Sequence, residues 1–304
     1  MWTKKNIPDQ TGKTIIVTGA NTGVGYETAL ALYEAGAHVV LACRNMKKAE
    51  EALTRIKLQP GKGTLEASQL DLSDLNAVKQ FADSFLQTHT QLHVLINNAG
   101  VMNIGVRALQ ATKTANGYEL QFGVNFLGHF ALTGYLYPLL NATPGARVVT
   151  LSSMAYLNGI IDFDNLKSER DYNAMREYAQ SKLGDLLFSI ELHRRISAKG
   201  DKVLSIAAQP GANRTELIRH MSEEELAAGI ARVGALMDPW QGALPSLYAA
   251  TSGEAMGGNL YEPHDSGYRG YPTLASLKEN ALDEAVAKKL WDWAAQVTGV
   301  HFPA

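Results

Sequence analysis

The chain has 304 residues, with 28 Lys+Arg against 30 Asp+Glu and a single Cys. A net charge of −2 leaves no basic excess to neutralise a phosphate backbone, so nucleic acid is not the expected partner. The composition, 46% hydrophobic and 19% charged, is that of a globular chain, and Cys43 alone excludes an internal disulfide or a Cys-rich zinc site.

Short Val- and Ile-rich runs alternate with longer helical patterns. A strand is predicted at 14–18, a helix at 25–35 stopped by Gly36, a strand at 38–42 and a helix around 46–57. A strand at 65–70 follows, then a helix carrying Val78, Phe81, Phe85 and Leu86, with Ser73 as its N-cap. Next come a strand at 94–96, a long helix from about 117 to 140, a strand at 147–151 and a helix from about 176 to 198. Strands at 203–207 and 259–261 complete the pattern. Continuously apolar strands alternating with helices imply a parallel sheet covered on both faces. The alternation runs past residue 200 without a linker or repeat, so one domain over 1–304 is expected. Its surplus length falls in an insert at about 154–177, a segment at about 213–239 and a helical tail at about 275–304. The first two follow strand C-termini, where open α/β sheets bind ligands. No apolar run approaches the ~18 residues of a membrane span, and residues 1–6 lead into polar sequence rather than a signal core. A cytoplasmic location is the expectation.

Gly19, Asn21, Thr22, Gly23, Val24 and Gly25 join the first strand to the first helix. Glycines there let the backbone turn tightly and approach a pyrophosphate, which the free N–H groups of the helix start would receive. About 20 residues on, an acid would accept from a ribose 2′-OH, whereas an Arg would pair with a 2′-phosphate. The second strand ends in Arg44 with no carboxylate before Glu50, which favours NADP(H) over NAD(H), although a solvated surface charge is the simpler use of one Arg.

Tyr178 and Lys182 lie four residues apart on a predicted helix and project from one face. A free phenol has a pKa near ~10 and becomes useful at neutral pH only beside a cation. They lie off the apolar stripe of Leu183, Leu186, Leu187 and Ile190 and are free to face a cleft. The fifth strand ends at Ser152 and Ser153, and the fourth runs into Asn98, Ala99 and Gly100. Alone, each is equally well a strand cap or a tight turn.

The ordered set TGANTGVG, Asp71-Leu72, NNAG, Asn125 in VNFLGH, SS, YAQSK and PGANRTEL resembles the short-chain dehydrogenase/reductase superfamily over about residues 11–262. The long Ser-to-Tyr separation is similar to its retinol dehydrogenase and protochlorophyllide reductase-like branch. The resemblance implies a Rossmann-type doubly wound sheet of about seven strands, and carbonyl–alcohol interconversion by hydride transfer. It makes Tyr178 the acid/base and has Lys182 lower the Tyr178 pKa and hold the nicotinamide ribose. Ser153, rather than Ser152, would bond the substrate carbonyl, and Asn125 would complete a water relay to Lys182. Asp71, with Leu72, would sit at the adenine, Asn98 against the cofactor, and Thr215, after Pro210-Gly211, at the carboxamide.

Thr22 stands where NADP(H)-preferring members often carry a basic residue, so Arg44 would hold the 2′-phosphate alone. Gly184-Asp185 replaces the usual Ala-Asn and is expected to touch none of the chemistry. An NADPH-binding regulator without turnover, an NAD(H)-dependent alcohol dehydrogenase and a sugar-nucleotide epimerase or dehydratase are the other readings of this scaffold.

Met102, Met154, Tyr156, Leu157, Ile160, Ile161, Leu217, Ile218 and Met221 are the candidate walls of an apolar substrate pocket. A helical stretch from Met221 reads as a lid or as a solvated surface helix. His89 and His93 read as a polar turn and a strand start, so no metal is expected. The tail, with Val286, Leu290 and Trp293 at helical spacing, reads as a helix packed on the body or as an oligomer contact, and a homodimer or homotetramer is compatible with it.

Overall fold

The computed structural model describes residues 1–102, 110–216 and 223–303. One sheet contains β1 (Thr14–Thr18), β2 (His38–Cys43), β3 (Thr64–Gln69), β4 (Val94–Asn97), β5 (Arg147–Leu151), β6 (Leu204–Ala208), β7 (Leu260–Asp265) and β8 (Arg269–Leu274). Their order is β3-β2-β1-β4-β5-β6-β7-β8, with β8 alone antiparallel to its neighbour. The chain starts in the middle, winds outward to β3, then crosses back to β4 and winds the other way. The connections after β1 and β4 therefore diverge and leave a crevice at the C-terminal edge of the sheet.

Side chains of successive strand residues enter opposite layers. Ile16 joins a core with Phe81, Phe126, Phe130 and Leu186, while Ile15 and Val17 join another with Leu32, Ile56 and Leu247. Burial on both faces is why these strands are unbroken apolar runs. The doubly wound α/β expectation holds, with one strand more than anticipated. β8 was hidden by Gly270 and Pro272, residues that disfavour a central strand but are accommodated at an edge.

The longer helices are α1 (Gly23–Glu34), α2 (Met46–Lys57), α3 (Leu75–Thr88), α4, α5 (Ala174–Lys199), α6 (Glu223–Val233), α7 (Leu244–Thr251) and α8 (Glu284–Thr298). α4 is continuous but uneven: Leu120–Phe122, a wide π turn at Gly123–Leu127, then Gly128–Ala142. Asp74, not Ser73, caps α3, because Asp74 Oδ1 accepts from Asn76 N at 2.9 Å. The Ser73 hydroxyl instead donates to Asp71 Oδ1 at 2.6 Å.

α5 is no simple amphipathic helix. Nearly every residue from Ala174 to Leu192 is buried, Tyr178 and Lys182 included. α8 covers part of it: Trp291 stacks on Phe188 at 5.7 Å between ring centroids and meets Phe130 and Phe302 edge-on or tilted. The tail is thus a helix packed on the body.

Candidate active site

The glycine loop is fixed by backbone geometry. Gly19 and Gly23 have φ of +66° and +58°, where a side chain is strained. A Cβ on Gly25 would overlap Asn98 Nδ2 and lie 2.6 Å from the Gly19 carbonyl oxygen. Asn98 is held there because its Nδ2 donates to Thr18 O at 2.7 Å, while the N–H groups of Asn98 and Ala99 both donate to Thr18 Oγ1 at 2.9 Å.

Thr18 Oγ1 also meets His129 Nε2 at 2.9 Å, and His129 Nδ1 meets the Asn125 carbonyl at 2.7 Å. A carbonyl only accepts, so Nδ1 carries the hydrogen, and Nε2 accepts from the Thr18 hydroxyl. Burial pushes the imidazole down to about 3, which keeps it neutral in this role. One chain of hydrogen bonds thus ties the glycine loop, the Asn98 turn and the π turn together. His129 and Thr18 both lie inside motifs visible in the sequence, yet nothing in spacing assigns them this linkage.

The π turn carries Asn125. Its Nδ2 donates to Val101 O at 3.0 Å and Ser181 Oγ at 2.9 Å, and its Oδ1 accepts from Val101 N at 2.8 Å. Both Nδ2 hydrogens are committed to framing the site, and Oδ1 keeps a second lone pair. The two serines at the end of β5 differ in the same way. Ser152 Oγ donates to the Lys182 carbonyl at 2.7 Å, so its one hydrogen is spent. Ser153 Oγ accepts from Ala155 N at 3.2 Å, and among the described residues its hydrogen has no acceptor, so it can donate.

Lys182 Nζ donates to Leu151 O at 2.9 Å and to Asp185 Oδ2 at 2.8 Å, and both side chains are almost wholly buried. The expectation that Asp185 stands apart from the chemistry is therefore corrected: it is the ion-pair partner of the central lysine, one turn on along α5. Burial pushes the Asp185 carboxyl up to about 7 against the pull of Lys182. At Lys182 burial pulls the pKa down, but the charges of Asp185 and Tyr178 outweigh it and leave the ammonium above its ordinary value. Among the described residues Asp185 Oδ1 has no hydrogen-bond partner.

Two cavities meet at Tyr178. The larger, about 450 Å³, is lined by Gly19, Asn21, Thr22, Gly23, Val24, Gly25, Asn98, Ala99 and Gly100, with Lys182 at its inner end and Arg44 and Lys48 at its outer end. The smaller, about 210 Å³, is walled by Met102, Ser153, Gly211, Leu226, Ile230, Val233 and Leu236. Val24, Tyr178, Pro210 and Thr215 border both.

The structure thus brings together nearly every expected site residue, and adds Lys48 beside Arg44, so that Arg44 is not the sole cation there. Asp71 and Leu72 are not among the lining residues: Asp71 Oδ1 accepts from Ser73, and Leu72 packs beneath Gly128. The expected pocket walls divide. Met102 lines the smaller cavity. Tyr156 and Ile161 are buried in the core, while Ile160 is 78% exposed beside a separate groove. Leu217, Ile218 and Met221 lie outside the described residues, as does the start of the expected lid. Its continuation, α6, supplies Leu226, Ile230 and Val233 to the cavity wall. No helix among the described residues is long and apolar enough to cross a membrane.

An open α/β sheet with a glycine cradle at its first turn and a Tyr–Lys pair in the crevice defines the class of dinucleotide-dependent oxidoreductases. Comparison with known proteins narrows it. The short chain dehydrogenase family profile matches residues 13–226, and the chain belongs to that family. It is 39% identical to human retinol dehydrogenase 13 over 99% of this chain and 88% of the relative. To human retinol dehydrogenase 11 it is 40% identical, over 95% and 86%. A crystal structure of an uncharacterised protein from Mycobacterium paratuberculosis superposes with a TM-score of 0.83 at 36% identity, covering 100% of this chain and 99% of that one. The chain is therefore an oxidoreductase of CH–OH groups that uses NAD(P).

Proposed function

We propose that this chain is an NADP(H)-dependent oxidoreductase that interconverts a carbonyl and an alcohol on a small, apolar substrate. The observation that carries the reading is the position of Tyr178 on the wall common to a polar, glycine-lined cavity and an apolar one.

The larger cavity suits a dinucleotide on three grounds. Its floor is backbone that a Cβ would fill, its inner wall is the start of α1, whose first N–H groups have no place in the helix's own ladder, and Arg44 and Lys48 offer two cations at the far end. Those cations, with no acid at the end of β2, favour the 2′-phosphorylated form. Related structures with bound NADP, from Pseudomonas aeruginosa and Beutenbergia cavernae, share the fold with TM-scores of 0.67 and 0.66. Bound there, a nicotinamide would supply or receive the hydride.

The chain's own residues handle the proton. In reduction Tyr178 Oη gives its proton to the carbonyl oxygen as negative charge builds on it, and in oxidation it takes the proton back. Ser153 Oγ, with its hydrogen unspent, donates to the same oxygen. Lys182 holds a positive charge beside the phenol, and Asn125 keeps Val101 and α5 in register around them. The apolar walls from Met102, Leu226, Ile230 and Val233 exclude water and select an aliphatic or polyene body.

The test is a spectrophotometric NADPH-oxidation screen over aliphatic, aromatic, retinoid and steroid carbonyls, with retinal tried first because of the relatives' names. Turnover with at least one apolar carbonyl, lost in Tyr178→Phe while NADPH binding persists, is the expected outcome. Full activity in that variant would overturn the mechanism.

A further inference from the structure

A second cluster of chemistry-bearing side chains lies away from the cleft, with His38 at the start of the strand whose far end leads to Arg44. His38 opens β2, Glu66 lies on β3, the edge strand of the sheet, and His89 closes α3. Their ligand atoms all fall within 4.8 Å of one another. Glu66 Oε2 is 3.5 Å from His38 Nε2 and 3.3 Å from His89 Nε2.

The ring orientations are set from behind. His89 Nδ1 meets Thr88 Oγ1 at 2.9 Å and the Phe85 carbonyl at 3.3 Å. The Thr88 hydroxyl has one hydrogen, and its other neighbours are the carbonyls of Ser84 and Phe85, so toward His89 it accepts. Nδ1 therefore carries the hydrogen, and in the neutral ring the Nε2 lone pair faces the Glu66 carboxylate. The ring is clamped in that pose against Phe85, with centroids 4.1 Å apart and planes 4° from parallel. His38 is fixed through its other nitrogen, with Nδ1 2.7 Å from Thr64 Oγ1, so its Nε2 is also turned to the carboxylate.

A lone pair and a carboxylate oxygen held 3.3 Å apart need a cation between them. Zinc–ligand bonds of about 2.0–2.2 Å subtend ligand–ligand edges of about 3.3–3.5 Å in a tetrahedron, which both His–Glu separations match. Two imidazoles with one carboxylate is a borderline donor set suited to zinc-class ions rather than magnesium. Back-bonded Nδ1–H groups are the usual outer shell of such ligands.

We infer that His38, Glu66 and His89 form a binding site for one zinc-class divalent cation, which ties the edge strand β3 and strand β2 to the end of α3. The site is independent of the oxidoreductase reading, and its occupancy would show as stability rather than as turnover.

Chelator-treated protein without a histidine tag is titrated with ZnCl2 by calorimetry, with the melting midpoint followed in parallel. One saturable equivalent is expected, raising the midpoint by a few degrees, while MgCl2 at the same concentrations does neither. Glu66→Gln and His89→Gln should each weaken zinc binding at least tenfold, with metal-free circular dichroism unchanged. His301→Ala, at an exposed histidine outside the cluster, should leave it intact. No saturable equivalent in the wild type, or an equivalent indifferent to both cluster variants, would overturn the site and leave a proton as the only cation between His89 and Glu66.

Discussion

The two cavities that share Tyr178 are built in different ways. The floor of the larger is backbone, glycines and a turn pinned by Thr18 from the segments after β1 and β4, with Arg44 and Lys48 after β2 and Lys182 on α5 at its two ends. The smaller is made of side chains, and Leu226, Ile230, Val233 and Leu236 reach it from one long connection after β6. The comparable connection after β5 does something else. There Asn165 Oδ1 accepts from Glu169 N and Arg170 N, Ser168 bonds Glu177, and Gln180 receives Asp162 N, so the segment is folded on itself. It turns Ile160 and Phe163 toward a separate groove. A cavity of backbone tolerates few changes and takes one kind of guest, whereas a wall of side chains can be altered residue by residue.

The sharpest break of this division is at the residue common to both sides. Tyr178→Phe should lower kcat by about 10²- to 10⁴-fold, the usual worth of a positioned acid/base, while leaving cofactor binding by fluorescence titration close to wild type. Next in size, the double variant Arg44→Ala and Lys48→Ala should weaken NADPH by roughly tenfold or more, from lost charge-assisted hydrogen bonds. NADH affinity should change far less, and equal loss for both would remove the cofactor preference.

On the other side, Leu226→Ala should cost about tenfold in kcat/KM for an apolar carbonyl with cofactor KM unchanged, the scale of a few methylenes in a pocket. Ile160→Ser, on the connection after β5, should leave both constants within about twofold, since the change is on the surface. An Ile160 effect as large as that of Leu226 would erase the distinction between the two connections.

A further effect concerns pH. Asp185 gains a proton as pH falls through about 7, and above that its carboxylate offsets part of the Lys182 charge. Asp185→Asn removes that offset at every pH, so the positive field on the Tyr178 phenol rises. The acid limb of the alcohol-oxidation profile should then move to lower pH by an amount of order one unit. A limb that stays put or moves upward would show that Asp185 serves only to hold α5.

Much of the larger cavity was legible because its requirements are local. Gly19, Gly23 and Gly25 are demanded by φ and by closeness to Asn98, and Tyr178 with Lys182 by the pitch of one helix. Lys48 was not visible, since on α2 it looks like any solvated lysine until the strand beneath it is placed. Asp185 is three residues from Lys182, but the sequence shows it only as a replacement for the usual Asn, not as a carboxylate buried against the ammonium. Tyr156 and Ile161 were mistaken for pocket walls because an apolar side chain looks the same whether it faces a ligand or the core. His89 gives no sign in the sequence of its neighbours His38 and Glu66, while His93 Nδ1 accepts from Thr14 N at the strand start where it is expected. These misses have one cause: they depend on which elements become neighbours, and that is decided by topology.

The wide turn at Gly123–Leu127 carries a consequence of its own. A π turn amounts to one surplus residue in an α-helix, and each residue advances the helix by about 100°. Removing one residue there would give α4 a more regular ladder of hydrogen bonds, while every side chain before it would swing about a quarter-turn out of phase. Asn125 would lose Val101 and Ser181, and the His129 bridge to Thr18 would open. The geometry of the cleft thus hangs on a single triplet of coding sequence, and the deletion that would tidy the helix is the one that would dismantle the site.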